Sequence, residues 1–183
     1  MHYRLGLFDA LKTALEEDGY ELELVVGTAT ENETSRQDQG TLDWATVIQN
    51  RKILQYKKTE VIWQSLPSHA LDADLIICMQ ENRLISNYPV IARSHFRRAQ
   101  RVAYWGHGVN LQSDYPNGIR EKWKSLWINS VDWWFAYTQL TADKLHDAGF
   151  DSSRITILNN AIDNSDFIND LDQADLTNFD SFQ

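Results

Sequence analysis

The chain has 183 residues, 43% apolar and 23% charged, which suits one globular domain with a sizeable core and is not the composition of a disordered chain. Its formal net charge of −9 argues against a nucleic-acid partner, because a phosphate-reading surface needs a net basic face. One cysteine, Cys78, excludes an intrachain disulfide and fits a reducing compartment. With no leader and no apolar run of about 18 residues, the expected location is the cytoplasm.

In chain order, Leu5, Phe8, Leu11 and Leu15 predict a helix over residues 3–18, stopped by Gly19. Alternating Leu22, Leu24 and Val26 predict a strand from Glu21 to Gly27. Residues 28–40 are polar and read as a loop; residues 42–58 fit either helix or strand, and Val61 to Gln64 a short strand. The compact run Asp74 to Met79 predicts a strand buried on both faces. A helix over 85–98 interrupted at Pro89, a strand over 101–105 and a helix over 116–130 follow. The last elements are a strand over 133–137, a helix over 140–148 ended by Gly149, and a strand over 155–158. This alternation predicts an α/β fold with a Rossmann-like, doubly wound, mainly parallel sheet. Residues 1–167 form the predicted domain, and 168–183 a loosely ordered tail. Asp163 to Gln183 holds six Asp and no Lys or Arg, so much of the acidity lies at that end.

In such sheets ligands bind beyond the carboxyl ends of the strands. Hydrogen-bonding residues stand at four of these ends: Gln80, Glu81 and Asn82; Gly106, His107, Gly108 and Asn110; Thr138 and Gln139; Asn159 and Asn160. Gly106-His107-Gly108 is the sharpest, since flanking glycines let a ligand approach the backbone and the imidazole can donate or accept near neutral pH. Its plainer reading is a strand-ending turn with a solvent-facing histidine. Asp72-Ala73-Asp74 spells a metal-binding D-x-D pattern, but it precedes its strand and reads as a strand-opening turn. No His/Cys cluster has metal-ligand spacing, so no metal and no bound cofactor is expected. Cys78 sits mid-strand and reads as a core residue rather than a nucleophile. His69, His95 and His146 read as exposed. Basic residues cluster at Arg93, His95, Arg97, Arg98 and Arg101, and again at Arg120, Lys122 and Lys124 beside Trp123 and Trp127. Such a surface is an ordinary solvated face or a peripheral contact with an anionic membrane.

Three stretches together resemble glycosyltransferase family 4 (group 1). Tyr3-Arg4-Leu5-Gly6-Leu7-Phe8-Asp9-Ala10-Leu11 is similar to its first-helix "YR-x-x-LF-x-x-L" signature. Tyr104-Trp105-Gly106-His107-Gly108 is similar to the "WGHG" loop of a subset. Tyr137-Thr138, Thr141-Ala142, Leu145, Gly149-Phe150, Ile155 to Leu158, Asn160 and Asp163 resemble the close of the N-terminal domain, with Ala161 and Ile162 where Gly and Val are usual. The resemblance spans residues 3–167.

It implies the acceptor-side half of a GT-B fold, in which two Rossmann-like lobes face a cleft. The implied activity is metal-independent, configuration-retaining sugar transfer from a nucleotide-sugar co-substrate to a glycan or lipid-linked acceptor. His107 would contact the transferring sugar, and Gln80, Glu81 and Asn82 would line the acceptor side by position. The family's first strand and glycine-bearing loop would precede Tyr3, where only Met1 and His2 stand, and the donor lobe with its paired-Glu motif has no counterpart. Both ends read as cut. The expectation is therefore a chain that turns over only with a separate donor-lobe protein. The alternatives are a non-catalytic acceptor-binding module and an inert remnant.

Overall fold

The computed structural model describes residues 4–29, 42–56, 59–97, 99–107, 127–159 and 168. The chain divides into two units, one of Met1–Leu22, Asp38–Asp43 and Ala161–Gln183, the other of Glu23–Gln37 and Trp44–Asn160. The loop predicted after Thr28 and the helix predicted before Trp127 lie mostly outside the described residues, as does the tail apart from Ile168.

In the first unit, α1 (Leu5–Glu17) forms on the predicted apolar spacing, with Phe8 buried. It stops because Gly19 adopts a φ of +80° that other residues resist. Tyr20 N–H then closes onto the Leu15 carbonyl at 2.8 Å, satisfying an end carbonyl of the helix.

The second unit carries the strands. β1 (Val25–Gly27) pairs in parallel with β2 (Thr46–Ile48). β3 (Asn50–Tyr56) and β4 (Thr59–Gln64) form an antiparallel hairpin whose register shifts between Lys52 and Leu54. β5 (Leu75–Met79), β6 (Arg101–Gly106), β7 (Trp133–Ala136) and β8 (Ile155–Ile157) form a four-stranded, all-parallel sheet in sequence order. The short helix α2 (Ser68–Leu71) leads into β5, α3 (Asn87–Phe96) joins β5 to β6, and α4 (Gln139–Asp147) joins β7 to β8. The α/β class and the mainly parallel sheet are as the alternation predicts.

The ambiguous residues 42–58 resolve into β2 and β3. β1 begins at Val25 rather than Glu21. α3 runs from Asn87 to Phe96 with Pro89 in its first turn, where a missing N–H costs nothing, so the helix is not interrupted there.

β5 departs from expectation. Ile76 and Cys78 turn toward the core, but Leu75 and Ile77 are 47% and 41% exposed. The physical reason is position: β5 ends the four-stranded sheet, whereas β6 sits inside it with Val102, Ala103 and Tyr104 buried. The core joins Cys78, Val90, Ile91, Val102, Trp134 and Leu145 from β5, α3, β6, β7 and α4.

Burial pushes the Cys78 thiol up to about 12. A thiol held neutral is a poor nucleophile, so alkylation of the folded chain at pH 8 is expected to be slow and to track unfolding. Mass spectrometry of iodoacetamide adducts across a urea series checks this; rapid labelling without urea would contradict the buried placement.

The Asp72-Ala73-Asp74 turn serves the fold. Arg93 and Arg97 both hydrogen-bond the Asp72 carboxylate, at 2.7 and 2.8 Å, tying α3 to the turn before β5. Gln100 adds two side-chain bonds, to the Leu71 and Ala73 carbonyls at 2.6 and 2.9 Å. The arginines, Arg93 first, hold the Asp72 carboxyl below the usual carboxylate range. A lowered carboxylate stabilises the fold above its unfolded value and loses that contribution as pH falls through its folded value. Asp72→Asn is therefore expected to lower stability at pH 7 and to make no difference well below about pH 4. Denaturation midpoints at both pH values are the check.

Candidate functional site

The carboxyl ends of β5, β6 and β7 lie along one edge of the parallel sheet, so the residues after them share that edge. The segment after β5 is fixed by its backbone. Gln80 N–H donates to the Trp105 carbonyl at 2.9 Å, and Leu84 N–H to the Glu81 carbonyl at 3.1 Å. Ile62 of β4 bonds on both sides of Leu84, to Arg83 and Ile85. Asn87, buried at the start of α3, donates to the Met79 carbonyl at 2.8 Å. Side chains on such a braced loop are held in place before any ligand arrives.

Gln80, Glu81 and Asn82 line a cavity of about 10 Å³ with Asn87, Tyr88, Tyr104 and Trp127. That volume holds about one water molecule. The Tyr88 and Trp127 rings meet at 4.7 Å, tilted by 41°, and form its aromatic wall. Arg83 holds the Glu81 carboxylate at 2.6 Å. Burial, with smaller contributions from Cys78 and Tyr88, pushes the Tyr104 phenol well above its ordinary value, so it stays a neutral hydroxyl.

Gly106 closes β6. A Cβ placed there would stand 2.8 Å from the Gln80 Cβ, so the missing side chain is the space in which Gln80 packs. Gly106→Ala is expected to cost about 1–3 kcal/mol, since a Cβ cannot swing aside as a flexible tip can. Urea denaturation measures this, and an unchanged midpoint would show that the two segments separate freely.

His107 follows, exposed, with its ring 4.3 Å from that of Tyr137 at 53°. Tyr137 is buried beneath it. The imidazole is thus placed against a fixed aromatic face while remaining open to solvent. Thr138 Oγ1 accepts from Thr141 N–H at 3.3 Å and caps α4, so part of its capacity serves the helix. Asn159 takes the left-handed φ of 56° just after β8. Of the residues the sequence singles out, Gln80, Glu81, Asn82, Gly106, His107 and Thr138 stand along this edge. Gly108, Asn110 and Asn160 lie outside the described residues. Sequence reasoning missed the Tyr88–Trp127 wall and Asn87, because two distant aromatics and one asparagine carry no local signal.

A larger groove, of about 470 Å³, opens at the other ends of the strands, beside Gln100, Arg101, Asp132 and Arg154. Its charges are committed: Arg101 binds Asp132 at 2.9 Å, and Arg154 lies 3.7 Å from Asp151. Size alone would favour this groove; the direction of the parallel strands favours the smaller cavity.

No family model matches the chain, and no curated protein matches it. Among solved structures the chain is similar to a crystal structure, at 2.2 Å resolution, of a protein described as a UDP-N-acetylglucosamine 2-epimerase from Listeria monocytogenes. Identity is 13% and the TM-score 0.44, over 81% of this chain and 41% of that one. The chain therefore spans less than half the length of that structure.

Proposed function

We propose that residues 1–167 are the acceptor-side, Rossmann-like half of a GT-B glycosyltransferase resembling family 4. In this reading a sugar passes from a nucleotide-sugar donor to a glycan or lipid-linked acceptor once a donor lobe closes the cleft. The observation that carries the proposal is that Gln80, Glu81 and Asn82 line a cavity at the carboxyl end of β5 and His107 follows the neighbouring parallel strand β6 at the same edge. These residues also stand where the family resemblance puts an acceptor wall and a sugar-contacting histidine.

The division of labour follows from the chemistry. Amide and carboxylate side chains beside aromatic rings suit an acceptor with hydroxyls on its edge and apolar C–H groups on its faces. His107 would hydrogen-bond the transferring sugar and favour its transition state over its ground state. Charge that develops on the leaving nucleotide needs groups from the opposite wall. The chain alone would therefore bind without turning over.

No helix among the described residues is long and apolar enough to cross a membrane. A lipid-linked acceptor would nevertheless place the chain at a membrane face. Phe96, 87% exposed beside Arg97, is suited to that contact, and co-sedimentation with anionic vesicles measures it.

The binding half of the proposal is tested without any partner. Saturation-transfer NMR of the full chain against a glycan panel is expected to detect at least one ligand. The signal should disappear in the Gln80→Ala/Asn82→Ala double variant and persist in His146→Ala. A folded chain that binds no glycan, or that binds equally well in the double variant, would overturn the site.

A further inference from the structure

The small cavity at the carboxyl end of β5 is lined by two buried residues whose polar groups the fold leaves partly unused. Asn87, 8% exposed, commits its Nδ2–H to the Met79 carbonyl at 2.8 Å. That bond settles which end of the amide is the nitrogen and fixes the amide plane. Asn87 Oδ1 is left as an acceptor with no hydrogen-bond partner among the described residues. Tyr104, 4% exposed, brings a phenol hydroxyl from β6 that also has no partner among the described residues.

Buried polar groups are hydrogen-bonded to protein or to water, so these two need something between them. The cavity holds about 10 Å³, the room of one water molecule. In so small a space a single oxygen reaches every wall. It would donate to Asn87 Oδ1 and accept from the Tyr104 O–H, which burial keeps neutral. A hydroxyl can do both. A carboxylate cannot donate, and an ammonium would be desolvated beside a Glu81 carboxylate that Arg83 already engages at 2.6 Å. Tyr88 and Trp127, with rings 4.7 Å apart, are only half-buried, so part of each ring stays open for the C–H face of a ligand.

We propose that Asn87 and Tyr104 determine ligand specificity by receiving one unsubstituted sugar hydroxyl, which takes the place of a single water. The inference rests on the reading of this edge as an acceptor wall. It adds that one ring position must carry a free hydroxyl: hydrogen there forfeits both hydrogen bonds, and a methyl or acetamido group exceeds the space.

The test titrates the full chain with the methyl glycosides of glucose, galactose, mannose and xylose, followed by NMR at the Trp127 indole. Each glycoside that binds is then compared with its monodeoxy and mono-O-methyl analogues. At one ring position the deoxy analogue is expected to bind about tenfold more weakly, and the O-methyl analogue not at all. Tyr104→Phe keeps the ring that packs 5.0 Å from Trp134, so the core is retained. It should weaken the parent glycoside about tenfold and leave the deoxy analogue unchanged, because the group it would have met is already gone. If Tyr104→Phe does not fold, the analogue series on the parent chain still decides. Glycosides that bind while every analogue binds alike would overturn the hydroxyl pocket alone. A folded chain that binds none of the four would overturn the acceptor wall and the pocket together.

Discussion

Replacing Trp134 with alanine is expected to destabilise the chain by about 3–5 kcal/mol, the range for removing a large buried aromatic. Trp134 is fully buried in the middle of the four-stranded sheet. Its ring lies 5.0 Å from Tyr104 on the neighbouring strand and 6.4 Å, edge-on, from Phe150. Its Nε1–H donates to the Ile128 carbonyl at 3.0 Å, in the segment that leads into β7. Alanine leaves a cavity at the junction of β6, β7 and the end of α4 and strands that carbonyl. Phenylalanine keeps most of the volume and loses mainly the hydrogen bond, so Trp134→Phe should cost less, about 1–3 kcal/mol. Since a domain holds a margin of about 5–15 kcal/mol, the alanine variant should melt far earlier or fail to accumulate. Chemical denaturation of both variants gives the comparison; equal costs would mean that the hydrogen bond, and not the packing, dominates.

The second large effect concerns His107. When a donor lobe is supplied, His107→Ala is expected to lower kcat by about 10²–10³-fold, the usual loss for one hydrogen-bonding group aimed at the transition state. The fold should not suffer. His107 is exposed, with its ring against that of Tyr137, so the expected change in stability is small, within about 0.5 kcal/mol of the parent. Steady-state kinetics beside a denaturation curve separates the two effects. A variant that keeps its turnover would remove His107 from the reaction.

Particular residues explain how much of this was legible beforehand. The α1 and α4 stops were readable because Gly19 and Gly149 take φ values of +80° and +87°, which the sequence signals as glycine. β6, β7 and β8 were readable as short apolar runs between helical patterns. The β3–β4 hairpin was not, because Lys57-Lys58 stands where a glycine or asparagine would announce a turn. The exposure of Leu75 and Ile77 was also hidden: LIICM reads as an interior strand, and only the strand order places it at an edge. At the candidate site the polar strand ends were visible as side chains that follow apolar runs. In the sequence Gly106 reads as a turn residue, yet its role in the fold is to make room for Gln80, a contact between segments that no local pattern reveals. In the sequence the arginines read as a basic cluster, but Asp72 and Asp132 engage Arg93, Arg97 and Arg101, and pairings across the fold leave no trace in spacing.

The most direct test is sugar transfer itself, measured with radiolabelled nucleotide sugars and acceptors extracted from membranes. Three reactions suffice: the chain alone, the chain with a family 4 donor lobe supplied in trans, and the donor lobe alone. Transfer in the mixture, absent from both single-component reactions, is the predicted result. Silence in all three, with the chain folded and monomeric, would contradict the transferase reading and leave a binding module or an inert remnant.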